Sequence, residues 1–230
     1  MPRESVTNGA SLRWRLLRRA SYRGLRAFSY LLGRVWIRKI EGLNNLSSIV
    51  PSIFLCSYTC DYDFLILPAL IQRELVFLGP EPIINNKGIV GWILKTNFIV
   101  FAKGEYPGYR FFREVIRNLT EYNRSIAFFP DAASCYGKEF EEKYVGIVKL
   151  AIKANVPIIL IKIEWGKMNN SSLSRCNLEI GKRIYISPNN NEFHDIFFEK
   201  GGVTKFSALS KVDLQEIGRR LTLRLLASNI

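Results

Sequence analysis

Short apolar runs, rich in β-branched and aromatic residues, alternate with helix-patterned segments from Ile49 onward. Six runs are predicted strands: SIVPSIFLC, ELVFLG, NFIVFA, SIAFF, VPIILIKIEW and LEIGKRIYIS. Helical periodicity marks YRFFREVIRNLTEYN, EKYVGIVKLAIKAN and VDLQEIGRRLTLRLLASNI. Several strands are apolar on both faces, as buried parallel strands are. The alternation predicts an α/β fold, a single-domain mixed, mostly parallel sheet flanked by helices, with functional residues beyond the carboxyl ends of the strands.

A basic amphipathic helix is predicted ahead of this domain, in SLRWRLLRRASYRGLRAFSYLLGRVWIR. At about 100° per residue its apolar side chains share one face, opposite most of its arginines. We interpret residues 1–38 as a membrane-interface arm and residues 39–230 as the α/β domain. The predicted membrane contacts are Trp14, Arg15, Arg19, Arg23, Arg26, Phe28 and Trp36. Leu17, Leu25 and Leu32 complete the predicted apolar face.

Charge supports an anionic partner for this arm. Residues 1–38 hold nine arginines and one glutamate, whereas the rest of the chain holds 24 basic and 19 acidic residues. Three other interpretations stay open: a helix packed on its own domain with a solvated basic face, an organelle transit peptide, and a nucleic-acid arm. We expect a membrane surface and no nucleic acid, because no nucleic-acid recognition motif accompanies the arginines.

The four cysteines, Cys56, Cys60, Cys135 and Cys176, form no CxxC pair and have no nearby histidine, so no metal site is expected. They are predicted to be free thiols in a reducing compartment. No uncharged apolar run approaches the roughly 18 residues that a membrane span needs. The expected location is therefore the cytoplasmic face of a membrane, as a peripheral, monotopic protein.

The segment FFPDAASCYGKEFEEKYVGIVKLAIKANVPIILI carries the most specific pattern in the chain. It resembles the glycerolipid acyltransferase family of the lysophosphatidic acid (1-acyl-glycerol-3-phosphate) acyltransferase type. Members have a strand ending in F-P-E-G-T-R-S, then a helix that leads into V-P-I-I-P-V. IEGLNNL and KGIVGWILKTNFIVFAKG resemble two further blocks, so the resemblance covers residue 40 to the end.

The resemblance implies a catalytic pair at the segment SYTCDYD. In the family's N-H-x-x-x-x-D motif the histidine is the general base and the aspartate orients it. Here Asp63 matches the aspartate, Tyr58 stands at the histidine position, and Ser57 replaces the asparagine. A tyrosine is almost wholly protonated at neutral pH, since its ordinary pKa is about 10. Conventional His–Asp catalysis is therefore not expected.

The family's acceptor-binding groups also differ here. The resemblance assigns substrate binding to Lys103 and to the segment Pro130, Asp131, Ala132, Ala133, Ser134. Lys103 and Ser134 stand where the family has arginines, so a point charge and a hydroxyl replace two guanidinium forks. Two minor alternatives concern Cys60, as a covalent acyl acceptor, and His194, which lies outside every family block.

Two functions follow from these residues. The first is an acyltransferase that moves an acyl chain from a thioester donor, acyl-CoA or acyl carrier protein, to a lysophospholipid-type hydroxyl without a cofactor. The second is a catalytically inactive relative, a pseudoenzyme that binds lipid or a protein partner. The resemblance itself favours the first, and the replaced histidine, together with Ala132, Ala133 and Ser134, favours the second.

Overall fold

A computed structural model of the chain describes residues 7–46, 50–57, 62–80, 98–101, 109–129, 138–166, 175–187, 193, 196 and 209–226. The strands are β1 Ile37–Glu41, β2 Ile53–Cys56, β3 Leu75–Pro80, β4 Phe98–Phe101, β5 Ser125–Phe128, β6 Ile158–Trp165 and β7 Cys176–Ile184. The α-helices are α1 Thr7–Trp36, α2 Asp63–Leu70, α3 Tyr109–Thr120, α4 Lys138–Ala154 and α5 Lys211–Leu226.

The strands form one seven-stranded sheet in the order β1-β7-β6-β2-β5-β3-β4. Five neighbouring strands from β6 to β4 are parallel, whereas β7 is antiparallel to β6 and parallel to β1. The predicted mixed, mostly parallel α/β sheet is confirmed. Because β2, β5 and β6 are adjacent and parallel, their carboxyl ends meet at one edge of the sheet.

Alternating side chains along each central strand divide the core between the two faces of the sheet. Ile53 and Leu55 of β2 join a core cluster with α3, α4 and α5, whereas Phe54 and Cys56 join a cluster with α1 and α2. All four residues of β2 are buried. The strand therefore has no polar face, which matches its continuous apolar sequence.

Helix α1 packs along the face that α2 also covers. Tyr22 and Leu25 are buried there, and the Tyr22 hydroxyl donates a hydrogen bond to the Arg73 carbonyl oxygen at 2.9 Å. Burial raises the pKa of Tyr22, so the hydroxyl keeps its proton. A Cβ built on Gly33 would lie 3.3 Å from the Ala69 Cβ, which shows how closely α1 and α2 approach.

The apolar face predicted for α1 is divided in the structure. Leu25 and Trp36 face the core, whereas Leu17 and Phe28 remain exposed. Leu31 and Val35 are also exposed and continue the line of Leu17 and Phe28 at helical spacing. We call these four residues the outer stripe. The helix thus packs on its own domain and still presents an apolar surface.

An ion-pair cluster fastens α1 to the opposite edge of the sheet, at the amino ends of β3 and β5. Glu74 contacts the Arg124 Nε at 2.6 Å and the Arg19 Nε at 3.3 Å. Arg18 lies nearby, where burial first and the charge of Arg124 second lower its pKa to about 10. The cluster links residues that are far apart in sequence.

No residue separates α1 from β1, because the helix ends at Trp36 and the strand begins at Ile37. Strand β1 was not predicted, and the proposed boundary at residue 38 lies inside it. Gly42 follows β1 with a φ of 72°, and a Cβ there would lie 2.0 Å from the Ile180 carbonyl oxygen. Only glycine fits this turn.

Candidate active site at the carboxyl edge of the sheet

Asp63 lies at the carboxyl edge of the sheet, in the first turn of α2 just beyond β2. Its exposed fraction is 0 %. Tyr62 is the N-cap residue of α2 and provides no side-chain capping hydrogen bond. A carboxylate withdrawn from water needs hydrogen-bond donors, because an uncompensated buried charge is very costly.

Trp165 supplies one of these donors. Its indole Nε1–H donates a hydrogen bond to Asp63 Oδ1 at 2.7 Å. Trp165 is the last residue of β6, so the adjacent strand brings it to the carboxyl end of β2. Sequence reasoning missed this residue, although its place at the end of a predicted buried strand was a usable signal.

Ser57 anchors the start of the segment that leads to Asp63. The backbone N–H of Ser57 donates to the Ile161 carbonyl oxygen at 2.9 Å, which extends the β2–β6 pairing by one residue. The Ser57 Oγ accepts a hydrogen bond from the Ile163 N–H at 2.8 Å. The residue at the family's asparagine position therefore binds the neighbouring strand.

Two aromatic contacts link the indole of Trp165 to the Trp36 ring and the Trp36 ring to the Tyr62 ring. The Trp36 ring packs edge-on against the Trp165 ring with a centroid distance of 5.9 Å, and it lies 5.4 Å from the Tyr62 ring. Trp36 has an exposed fraction of only 8 %. Through Trp36, the end of α1 therefore contacts Tyr62, which precedes Asp63 in the chain, and Trp165, which binds the Asp63 carboxylate.

Cys56 lies in the core directly before this segment. Burial and the nearby charge of Asp63 both raise the pKa of the Cys56 thiol well above its ordinary value. A thiol with a raised pKa is a poor nucleophile, since the thiolate is the reactive form. Cys56 is therefore a packing residue.

Most predicted site residues lie outside the described part of the chain: Tyr58, Lys103, Pro130, Asp131, Ala132, Ala133 and Ser134. Cys60 and His194 lie outside it as well. The pairing of Tyr58 with Asp63 therefore stays a prediction. Phe129, which precedes Pro130 in the chain, is buried and stacks on Phe77 at a centroid distance of 6.4 Å. It directly follows β5, the strand beside β2.

The predicted membrane contacts divide into three groups. Arg19, Arg23 and Phe28 are exposed and Arg26 is partly exposed. Trp36 is a core residue, because its ring packs on Trp165 and Tyr62, and we do not retain it as a membrane contact. Trp14 and Arg15 belong to α1, but their side chains lie outside the described part. None of the described helices combines the length and apolarity that crossing a bilayer requires.

Comparisons with known proteins agree with this architecture. The solved structure of the 1-acyl-sn-glycerophosphate (LPA) acyltransferase PlsC from Thermotoga maritima is similar to this chain, with a TM-score of 0.56 and 18 % identity. The match covers 91 % of this chain and 81 % of that chain, so the fold is shared. No curated protein gives a significant sequence match. The acyltransferase family model matches residues 37–164. Because this segment is more than half of the chain, the protein belongs to the acyltransferase family, as the sequence blocks predicted.

Proposed function

We propose that this protein transfers an acyl chain from a thioester donor to the hydroxyl of a lysophospholipid-type acceptor at a membrane surface. The observation that carries the proposal is the buried, hydrogen-bonded carboxylate of Asp63 at the carboxyl edge of the sheet. This is the position of the aspartate in the family's catalytic motif. The thiol carrier of the donor is coenzyme A or acyl carrier protein, and no cofactor is needed.

The reaction forms a C–O bond and an S–H bond and breaks an O–H bond and a C–S bond. The acceptor oxygen attacks the thioester carbonyl carbon, its proton leaves to a base, and the C–S bond then breaks as the proton passes to the departing thiolate. The residue at the base position is Tyr58. A phenol is a weak base at neutral pH, and general-base help is ordinarily worth about 10²–10⁴ in rate. We therefore expect slow turnover.

The acceptor head group is proposed to contact Lys103 and the segment 130–134. Lysine holds a phosphate as a point charge, whereas arginine holds it through two parallel hydrogen bonds. Ser134 contributes only a hydroxyl at the second arginine position. We therefore expect a weaker preference for phosphate monoester acceptors than the family's motif would give.

The partner proposed for α1 is an anionic lipid surface. The outer stripe exposes Leu17, Phe28, Leu31 and Val35, with exposed fractions from 45 % to 63 %. Arg19 and Arg23 are exposed on the same helix. Apolar side chains that enter the acyl region beside guanidinium groups that bind phosphates are the arrangement of an interfacial helix. We place the protein on the cytoplasmic face as a peripheral, monotopic protein.

A second function is favoured by one specific observation, the tyrosine at the base position. A protein that keeps the fold and the lipid-facing helix but lacks an imidazole can bind an acyl lipid, or a protein partner, without transfer. The two functions share the membrane surface and differ only in turnover.

Acyl transfer by the purified full chain separates them. Radiolabelled acyl-CoA and acyl carrier protein are offered with lysolipids that carry or lack a phosphate monoester. The proposal expects turnover that is lost in Asp63→Asn and strongly reduced in Tyr58→Phe. If the wild-type protein binds lysolipid vesicles but transfers no acyl chain from either donor, the proposed acyltransferase activity is refuted. That result would support the second function, lipid binding without transfer.

Vesicle flotation tests the membrane surface. Arg23→Gln with Arg26→Gln should weaken binding to anionic vesicles about 30-fold at low salt, because each basic residue near such a surface contributes about 1 kcal/mol. The matched control is Lys149→Gln with Lys153→Gln, which removes the same charge from the exposed side of α4. Equal effects of the two pairs would contradict the assignment of α1 as the membrane-facing element.

A further inference from the structure

We propose that Trp165 is a positioning residue of this site, one that fixes the orientation of the Asp63 carboxylate. This role rests on the acyl transfer proposed above. Trp165 is not part of the family's histidine–aspartate motif, and its contact with Asp63 was not predicted. The structure supplies it.

The contact can orient Asp63 but cannot take over the base. An indole N–H is a donor only and does not ionise at neutral pH, so it cannot accept the proton of an alcohol. Its hydrogen bond at 2.7 Å to Oδ1 stabilises the charged form of a carboxylate that has no exposed surface. Fixing one carboxylate oxygen also fixes the plane of the group, and therefore the direction in which its other oxygen points.

Strand β6 holds both ends of the catalytic segment. Ser57, just before Tyr58, accepts a hydrogen bond from the Ile163 N–H at 2.8 Å. Asp63 accepts one from Trp165, two residues further along the same strand. Ser57 and Asp63 are thus attached to two neighbouring positions of one strand. Trp165 is one of these two positions.

The Trp165 ring is held in place on its other side. The Trp36 ring meets it edge-on at a centroid distance of 5.9 Å, and the backbone of Trp165 pairs with Cys176 in β7. A donor whose own position is fixed holds its acceptor more closely than a mobile one. Trp36 contributes packing to this arrangement, while Trp165 contributes packing and the hydrogen bond.

This difference provides a matched pair of variants. Trp165→Phe keeps an aromatic ring but removes the N–H, and Trp36→Phe makes the same change of side chain in the neighbouring ring. We expect Trp165→Phe to lower kcat at least about tenfold with KM changed less than about twofold, since a hydrogen bond to a charged group is lost. Trp36→Phe should lower kcat less than about threefold.

The outcomes distinguish this role from the proposed function. An active wild-type enzyme in which both variants lose the same fraction of kcat overturns the positioning role alone. A wild-type enzyme without turnover refutes the proposed function, and the positioning role with it. A KM that rises in Trp165→Phe while kcat stays unchanged also overturns the role, because the residue then acts in acceptor binding.

An NMR measurement tests the contact between Trp165 and Asp63 without any need for turnover. It also leaves Trp165 itself unchanged, so it does not depend on the folding of a variant at that position. The chain has four tryptophans, so an indole ¹H–¹⁵N spectrum has four signals. Single Trp→Phe variants at the other positions identify the Trp165 signal. It should lie downfield, exchange slowly with solvent, and move upfield in Asp63→Asn, whose amide is a weaker acceptor. A Trp165 signal that Asp63→Asn leaves unmoved overturns the proposal.

Discussion

The Glu74 carboxylate holds an arginine that has almost no contact with water. Arg124 has an exposed fraction of 4 %, and its Nε lies 2.6 Å from Glu74 Oε2. Asn118 Oδ1 accepts a second hydrogen bond from Arg124 at 3.2 Å, and the Tyr122 ring lies 5.2 Å from the guanidinium carbon. Among these groups only Glu74 carries a full negative charge. The substitution Glu74→Gln keeps the shape of the side chain and removes that charge.

The expected cost follows from the burial of both partners. Removing one member of a fully buried ion pair costs about 3–5 kcal/mol, because the other charge is left uncompensated. The Glu74 side chain is 26 % exposed, so water screens part of the pair and the glutamine oxygen replaces part of the hydrogen bond. We expect a loss of about 2–3 kcal/mol. The pair with Arg19 adds little, since the Arg19 side chain is 62 % exposed.

Thermal and urea unfolding measure this loss. For a chain of this length, about 2–3 kcal/mol lowers Tm by about 4–10 °C. Glu216→Gln is the matched control, because Glu216 also binds two arginines, Arg219 at 2.7 Å and Arg220 at 3.0 Å. The Arg219 side chain is 59 % exposed. The same substitution there should cost less than half as much.

A double variant sharpens the test. Glu74→Gln combined with Arg124→Met removes both charges, so it should recover part of the stability that Glu74→Gln loses. Equal losses for Glu74→Gln and Glu216→Gln would refute the reasoning. So would a double variant whose loss is the sum of the two single losses.

Three further predictions each concern a single residue. The Cys56 thiol should react with a maleimide far more slowly at pH 8 in the folded protein than in urea. The reason is that burial, and after it the charge of Asp63, raise the pKa of the thiol. Labelling at equal rates in both states would contradict this. The hydrogen bond from Arg219, and after it the hydrogen bond from Arg220, lower the pKa of Glu216 from 4.5 to about 2. The contribution of Glu216 to stability therefore exists above pH 4.5 and is lost as the pH falls toward 2. Unfolding curves of Glu216→Gln should therefore change less than wild type over that range, and equal changes would count against the shift. Gly42→Ala should lower the free energy of unfolding by about 2–3 kcal/mol. Alanine strains the backbone at a φ of 72°, and its Cβ would clash with the Ile180 carbonyl oxygen. A variant as stable as wild type would show that the turn is not constrained.

The sheet could be predicted because its strands carry a local signal. Each of the six predicted runs overlaps a strand of the structure, and each of the four predicted helices, α1 included, is present. Continuous apolar runs such as IFLC can be recognised without knowledge of their neighbours. Strand β1 was missed because its sequence IRKIE is short, charged and partly exposed at the edge of the sheet.

The site was less predictable, because its contacts join distant parts of the chain. Asp63 could be identified from the spacing of the motif, but Trp165 is 102 residues away and only the β2–β6 pairing brings them together. The same limit explains Trp36. Its helical spacing placed it on an apolar face, but periodicity does not say whether that face meets a membrane or the protein's own core. Only the packing of α1 on the sheet separates the two.

The direct passage from α1 into β1 has a practical consequence for work on this protein. The family match begins at Ile37, the first residue after the helix, so a truncated chain starting there would look complete by homology. Such a polypeptide would lack Tyr22, Leu25 and Trp36, so the core cluster that these residues share with α2 and the sheet would lose part of its cover and meet water. We expect it to collect in inclusion bodies, so solubility trials should begin upstream of residue 7.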